Sequence, residues 1–559
     1  MRKLNILLVV PKVATKGAVY EFPLGLAYIS SVIKQQMNDV SVDILNSNHY
    51  VEYQDQLLEK WLKRKSYDLI LTGGMSLHWQ ILEDISKSAR RFSPGSITVL
   101  GGPVVVSDIE LAMENLGYTF GVIEEGEYTI VELLKKIASY ADNKSVHDSI
   151  DEFSSIKSLS YIDSNGAIII TPKREPVEPL DEIPFPDYEG FEYDEFLELQ
   201  QNKNTFMYFS HIDQPRLGTV ITSRSCPFNC TFCFHPLGKK YRQRSLNKIF
   251  EEIDYLVKRY QINVLNIMDE LFSVDKTRML EFAERIKPYN LFWLAQLRVT
   301  DVEPEVLAKM RDAGLFIISY GVESMDDSVL KSMNKRVTKA QIERALRLTR
   351  EAKIGLQGNI ILGDLAETVA TVKNSMDWFK AHPEYSLNLG VIMTIPNSHI
   401  YQYAVQNGII KDKIQHIKAG FPYVNITKMS DHEFKDMVDM VNHFISDYTF
   451  DGKPYYLYGS LLSSKQKDGY YEVQIKCPEC GENHQYKLRT HTWPQINIFC
   501  KGCMFRMKFN TYQMYPFKAK VKNYFMLHAR RFIDVMVKKN IINYKLLEKL
   551  KKLHYKLGL

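Results

Sequence analysis

No cysteine precedes Cys226, and only seven occur in the 559 residues. No apolar run reaches the roughly 18 residues that a membrane-crossing helix needs, so no transmembrane segment is expected. No internal repeat and no low-complexity tract is found. The apolar stretch 4–10 behind Met1-Arg2-Lys3 stops at Pro11-Lys12, and no small-residue cleavage site follows. It reads as a buried first strand rather than a secretion signal, and the expected location is cytoplasmic. Apolar residues at 45% and charged residues at 25% exclude wholesale disorder. The length calls for three or four domains of about 100–200 residues each. Net charge is low, +5, but unevenly placed: 517–559 carries 12 basic and 2 acidic side chains, which leaves the rest mildly acidic.

Short Ile/Val/Leu-rich runs alternate with helix-like spacing through the first 140 residues. Strands are expected at 4–10, 40–45, 68–72, 97–100 and 120–123. Continuous apolar runs mark strands buried on both faces, so the fold class is α/β with an N-terminal, doubly wound, Rossmann-like parallel sheet over 1–141. Such sheets bind ligands at the carboxyl ends of their strands. Small residues stand there, in Gly73-Gly74-Met75-Ser76 and Gly101-Gly102-Pro103. Residues 142–215 read as a connector containing a hairpin, 158–162 with 167–171, that turns on Asn165-Gly166. A second alternating series follows, with strands expected at 217–222, 262–268, 291–297, 315–321, 354–362 and 387–394. Six such units predict a partial (β/α)6 TIM-type barrel over 216–440. Its first helix places Ile249, Ile253, Leu256, Val257 and Tyr260 on one face and Glu251, Glu252, Lys258 and Arg259 elsewhere. Residues 441–515 hold a C-terminal region with a small cysteine-bearing module, and 516–559 a basic helical tail.

All seven cysteines fall in two clusters, which in a reducing compartment read as metal ligands. The first is Cys226-Pro-Phe-Asn-Cys230-Thr-Phe-Cys233, at the end of the first strand of the second series. Three thiolates on one loop are one short of a closed zinc site and suit a four-iron cluster with one open iron. A zinc knuckle completed by His235 is the alternative. The spacing, with aromatic Phe232 before the third cysteine, resembles the radical S-adenosylmethionine (SAM) enzymes. Tyr241-Arg-Gln-Arg-Ser245, Tyr320-Gly-Val-Glu-Ser324 and Gly363-Asp-Leu-Ala-Glu-Thr368 resemble further motifs of that family, the last departing at Leu365 and Ala366. The resemblance implies a 4Fe-4S cluster on Cys226, Cys230 and Cys233 that binds SAM and cleaves it to a 5′-deoxyadenosyl radical. It implies SAM contacts at Phe232, Glu270, Glu323 and Ser324. It also implies an external electron donor such as flavodoxin or ferredoxin.

An α/β domain ahead of such a barrel resembles the cobalamin-binding members. Pro23-Leu-Gly-Leu-Ala-Tyr28, Val99-Leu-Gly-Gly-Pro103 and Glu124-Glu-Gly-Glu127 carry the likeness. A generic nucleotide-binding or purely structural domain is the alternative. Ser76, Gly101, Gly102 and Gly126 are the implied cobalamin contacts, the small residues admitting a large ligand. The Asp-x-His-x-x-Gly motif that ligates cobalt is missing, and His49 stands at the wrong spacing from Asp43, so no protein histidine is expected under the cobalt. The lack of cysteine before Cys226 excludes a methylthiotransferase.

The second cluster, Cys477-Pro-Glu-Cys480 and Cys500-Lys-Gly-Cys503, pairs two knuckles and predicts a closed zinc site resembling zinc ribbons. Rubredoxin-like iron or an auxiliary iron–sulfur cluster are the alternatives. The basic tail is expected either to contact an anionic surface or to be a solvated face. These features together predict a cobalamin-dependent radical SAM C-methyltransferase acting on a small molecule or biosynthetic intermediate. The alternatives are a non-methylating cyclase or rearrangement enzyme and a metal-containing nucleic-acid-binding protein. No motif identifies the substrate.

Overall fold

Strand β1, Leu4–Val10, is an unbroken apolar run apart from Asn5, and its Leu and Ile side chains are completely buried. A strand covered on both faces belongs in the middle of a parallel sheet. In the computed structural model, which describes residues 2–14, 20–202, 211, 212, 214–450, 453–467, 470–489 and 495–515, it pairs in parallel with β2 (Val40–Asn46) on one side and β3 (Leu69–Gly73) on the other. Then follow β4 (Ile97–Gly101) and β5 (Phe120–Val122), also parallel. The order β2-β1-β3-β4-β5 reverses direction between β1 and β3, which opens a crevice at their carboxyl ends. The hairpin β6 (Leu159–Ile162) and β7 (Ile168–Ile170) pairs antiparallel with β5 and completes a seven-stranded sheet.

The second sheet runs β15-β14-β13-β12-β11-β8, all parallel: Leu217–Val220 (β8), Val264–Ile267 (β11), Phe292–Leu297 (β12), Leu315–Glu323 (β13), Gly355–Leu362 (β14) and Asn388–Val391 (β15). Between β8 and β11, two short segments, β9 (Ser223–Arg224) and β10 (Arg242–Gln243), pair antiparallel and bracket the first cysteine loop. The helix Leu246–Tyr260 starts where Ser245 Oγ accepts from Lys248 N at 3.1 Å, and it buries Ile249, Ile253, Leu256 and Tyr260. Glu252 departs from the amphipathic reading. It is fully buried, accepting from Tyr188 Oη at 2.6 Å and from Arg244 at 2.5 Å. One carboxylate thus ties the segment after the first sheet to the start of the barrel.

Residues 1–203 and 215–453 form one compact unit, and 204–214 with 454–559 form another. In the second, the antiparallel strands Ser460–Lys467, Tyr470–Lys476 and Asn483–Arg489 make one sheet, and Gln495–Phe499 with Arg506–Asn510 another. Val473, Ile475, Leu488, Ile498, Met507 and Phe509 supply its core. Among the described residues no helix is long and apolar enough to cross a membrane. The basic tail, 516–559, lies outside the described residues.

Candidate functional site

A cavity of about 590 Å3 lies at the β1/β3 crevice. Its walls are largely apolar and include Val10, Leu24, Leu71, Val99, Val122 and Ile130. Glycine shapes it. A Cβ on Gly25 would meet nothing within 4 Å, and one on Gly101 would meet only Thr72 O at 4.0 Å, so side chains there would project into open space. Gly102 has φ +86°, and a Cβ on it would crowd both the N and O of Gly74 at 3.1 Å. Gly126 also lines the cavity, at the start of the helix Glu127–Ser139. Ser76 lies behind the wall: it is buried and hydrogen-bonds Ser107 Oγ at 2.8 Å. A smooth, deep, apolar cradle whose glycines leave room for bulk fits a large, flat ligand such as a corrin.

His49 stays out of this cavity. Its Nε2 lies 2.6 Å from Tyr20 Oη and its Nδ1 2.6 Å from Glu192 Oε2, so both ring nitrogens are engaged. Sequence reasoning missed His78, which does line the cavity and whose Nδ1 accepts from Met75 N at 3.4 Å. Its position one turn past Gly74, just after the crevice strand ends at Gly73, was the available signal.

The cavity does not end at the first sheet. Ser223, Arg224, Ser225, Pro236, Leu237, Met268 and Glu270 of the barrel line it too. These residues flank the loop of Cys226, Cys230 and Cys233, all three partly exposed. The loop is held at its backbone: Thr231 N donates to Met333 O (3.0 Å), Ile400 N to Thr231 O (3.2 Å) and Asn334 Nδ2 to Asn229 O (2.8 Å). Two cations face it. Arg298 stacks 3.7 Å over the Phe228 ring, and Lys335 stands 5.8 Å from the Phe232 centroid. The Cys233 hydrogen bond, with help from Lys335 and Arg298, draws the Cys230 thiol down to about 6 against the cost of burial. Three cysteines on one loop beside fixed cations are a donor set suited to an anionic cluster.

The remaining expected SAM contacts converge on this loop in different ways. Glu323 ends β13 at φ +64°, after a register shift, and accepts from Lys335 Nζ at 2.9 Å. A Cβ on Gly321 would meet Lys335 Nζ and Glu323 Oε1 within 2.5 Å, so a side chain there would displace the ends of that ion pair. Glu270 follows β11, and its Oε2 lies 2.9 Å from His235 Nδ1. His235 Nε2 is buried with no partner among the described residues. Phe232 packs against the apolar cluster of Met333, Ile392 and Ile400. Ser324 is fully buried, and its hydroxyl pairs with Ser375 Oγ at 3.2 Å.

A separate network fastens the two sheets. Glu125 Oε1 accepts from Arg224 Nη1 and Arg242 Nη1, each at 2.9 Å, and Glu127 Oε1 accepts from Arg224 Nη2 at 2.6 Å. Val177 N donates to Glu125 Oε2 at 2.6 Å. All four charged side chains are at least nine-tenths buried. Despite burial, the two guanidiniums hold Glu125 below the usual carboxylate range.

In the second unit, the sulfurs of Cys477, Cys480, Cys500 and Cys503 all lie within 4.8 Å of one another, with Cys477–Cys503 at 3.8 Å and Cys480–Cys500 at 3.6 Å. Ligands about 2.3 Å from one tetrahedral ion stand about 3.8 Å apart, so this spacing fits a single metal ion. Both knuckles turn alike: Glu479 N donates to Cys477 Sγ and Gly502 N to Cys500 Sγ, each at 3.4 Å. The three loop cysteines form no such compact group, as befits a larger cluster.

Residues 220–379 match the family profile described as the Radical SAM superfamily, and 11–134 that of the B12 binding domain. The chain is 27% identical over 422 residues to an uncharacterized methyltransferase of Pyrococcus horikoshii, covering 73% of this chain and 85% of that protein. It is 25% identical to the anaerobic magnesium-protoporphyrin IX monomethyl ester cyclase of Rubrivivax gelatinosus, covering 64% of this chain and 62% of the cyclase. Its fold is similar to that of the radical SAM methyltransferase TsrM from Kitasatospora setae, with TM-score 0.56, 17% identity, and coverage of 73% and 77% of the two chains.

The turn after β14 carries two buried acids. Glu367 accepts from Thr371 Oγ1 (2.8 Å) and Gly363 N (3.2 Å), while Asp364 Oδ2 is buried with no partner among the described residues. Burial, with Asp364 adding repulsion, pushes Glu367 from 4.5 up to about 7. The folded chain therefore holds a proton that the unfolded chain releases. The stability this lends is complete below about pH 4.5 and is lost as pH rises through 7. Glu367→Gln, permanently neutral, should be more stable than wild type by about 3 kcal/mol above pH 7, a gap that closes toward pH 4.5. Denaturant melts at both pH values measure it, and a pH-independent gap would contradict the assignment.

Proposed function

The chain belongs to the cobalamin-binding radical SAM family, and from that premise we propose that it is a C-methyltransferase acting on an unactivated carbon of a small molecule. One observation carries the reading: a single cavity is lined both by the glycines at the crevice of the first sheet and by the residues flanking the three-cysteine loop. A group carried in the first sheet would face chemistry initiated at the loop, with no barrier of protein between them. When bound, the cluster, SAM and cobalamin supply one-electron cleavage of SAM and a transferable methyl group.

The chain's own residues hold, orient and shield these groups. Cys226, Cys230 and Cys233 hold the cluster, and Lys335 and Arg298 offset its negative charge. Glu270 and Glu323, with Phe232 beside them, offer carboxylates and an aromatic face to SAM, and Ser324 supports them from below. Gly101, Gly102 and Gly126 line the corrin cradle, and Ser76 backs it. The apolar wall excludes water, which protects reactive species from quenching. Tyr20 and Glu192 engage both ring nitrogens of His49, so this histidine would not be available to a cobalt ion. The four C-terminal cysteines hold zinc. Electrons come from a flavodoxin or ferredoxin, and the chain works in the cytoplasm. The second reading, a non-methylating cyclase, is favoured by the similarity to the Rubrivivax cyclase.

Anaerobic reconstitution with iron, sulfide and cobalamin, then incubation with methyl-deuterated SAM and fractions of candidate substrates, tests the function. Deuterated methyl in a product, with 5′-deoxyadenosine released, is expected. Release of 5′-deoxyadenosine with no label transferred to any product would favour the cyclase reading. Replacing Cys226, Cys230 and Cys233 with Ala should abolish SAM cleavage while cobalamin still binds.

Gly101→Val should weaken cobalamin uptake at least about tenfold, because its methyls would stand in the cradle, with little change in melting temperature. Equilibrium dialysis checks this, and undiminished uptake would remove Gly101 from the cradle. Cys477→Ser with Cys480→Ser should release zinc and unfold 454–515, since zinc supplies on the order of 10 kcal/mol or more to such modules. Metal analysis and limited proteolysis read the result. Loss of iron in place of zinc would make the module an iron site.

A further inference from the structure

We infer that Glu125 and Arg224 form a clamp that fixes the spacing between the cobalamin and the iron–sulfur cluster, an inference that rests on the cofactor assignments above. Arg224 stands two residues before Cys226, and Glu125 belongs to the loop Glu124-Glu125-Gly126-Glu127, all four residues of which line the cavity. The loop that walls one cofactor and the loop that ligates the other therefore meet at one pair of side chains.

Glu125 occupies the critical position in this arrangement. Arg224 and Arg242 are directly opposed across the antiparallel pair β9–β10, where like charges repel. Glu125 accepts from both guanidiniums, and Glu127 takes the second nitrogen of Arg224, so two acids balance two bases. Tyr28, another cavity residue, lies 5.5 Å from the Arg224 guanidinium and closes its open face. Arg242 Nη1 also donates to Val177 O at 2.9 Å, and Glu125 accepts from Val177 N. The linkage has no exposed member that solvent could loosen. The charges of Glu125 and Arg224 are taken up by each other and by Arg242 and Glu127. Their part is positioning: a planar guanidinium bonded through two nitrogens to two carboxylates admits one geometry, which a lysine cannot reproduce.

The test uses the reconstituted holoenzyme carrying cob(II)alamin and the reduced cluster, whose two unpaired spins couple through space. Pulsed electron paramagnetic resonance should give one narrow cobalt-to-cluster spacing in the wild type. Arg224→Lys and Glu127→Gln should each retain both cofactors yet show a broadened or shifted spacing, and Glu125→Gln the largest change. Unchanged spacing in Arg224→Lys and Glu127→Gln, with both cofactors bound, overturns the clamp and leaves the cofactor assignments standing. If Glu125→Gln fails to fold, the two milder variants decide. A wild-type chain that takes up no cobalamin overturns the cofactor reading itself, and the clamp with it.

Discussion

Four buried charges, Glu125, Glu127, Arg224 and Arg242, join the carboxyl ends of two parallel sheets that pack as one compact unit. The attraction within such a group is offset by the cost of removing each ion from water, so its net contribution to stability is small. Its contribution to geometry is not. Breaking one partner strands an unpaired charge at a typical cost of about 3–5 kcal/mol, so the arrangement behaves as all or nothing. An apolar contact in the same place would tolerate sliding. A large ligand between the sheets demands a fixed gap, and directional ionic bonds supply it. The neighbouring Arg244–Glu252–Tyr188 group repeats the device at the next junction along the chain.

A second set of charges surrounds the cysteine loop. Three thiolates and Glu323 would concentrate negative charge at one end of the barrel. Lys335 and Arg298 oppose it, and each is fixed by more than charge. Arg298 donates to the carbonyls of Lys335 and Arg336 at 2.8 Å while stacking on Phe228. Lys335 is bonded to Glu323, and the Glu323 carboxylate and Cys230 keep its ammonium above the usual range although burial works the other way. The unoccupied side chain at Gly321 is the steric condition for that pair. A glycine in the middle of a strand is here explained by the ion pair it makes room for rather than by a turn.

Much of the fold was legible because its central strands are buried on both faces. Leu4–Val10 was expected with those bounds, and the six barrel strands lie at the expected places, because β-branched and leucine-rich runs between amphipathic helices leave few alternatives. Pairing across long separations was less visible: Asn165-Gly166 announced the hairpin, but nothing local said that β6 would join β5. The ionic network was illegible for a different reason. Glu124-Glu125-Gly126-Glu127 and Arg242-Gln243-Arg244 stood out as family-like motifs, but nothing local said that their charges would meet, and Glu252 was placed off the apolar face of its helix. Small residues pointed to the cradle because absence of a side chain is itself a local property, whereas Ser76 and Ser324 gave no sign that their hydroxyls would turn toward Ser107 and Ser375.

The two cysteine clusters show how spacing in sequence becomes spacing in space. In the C-terminal module, two knuckles of the same turn each contribute a pair of thiols, and a backbone amide at 3.4 Å orients the first thiol of each. Facing knuckles bring four sulfurs within bonding reach of one ion, closing the coordination shell and leaving no position for a substrate. In the barrel, all three thiols come from one loop with no opposing strand to complete the set. Its three sulfurs do not gather around one point and are partly exposed, with the Phe232 ring on the same loop. A closed shell stabilises a fold and an open one admits a reactant, so the same residue type suits structure in the first arrangement and chemistry in the second. The difference lies in whether the fourth ligand comes from the chain.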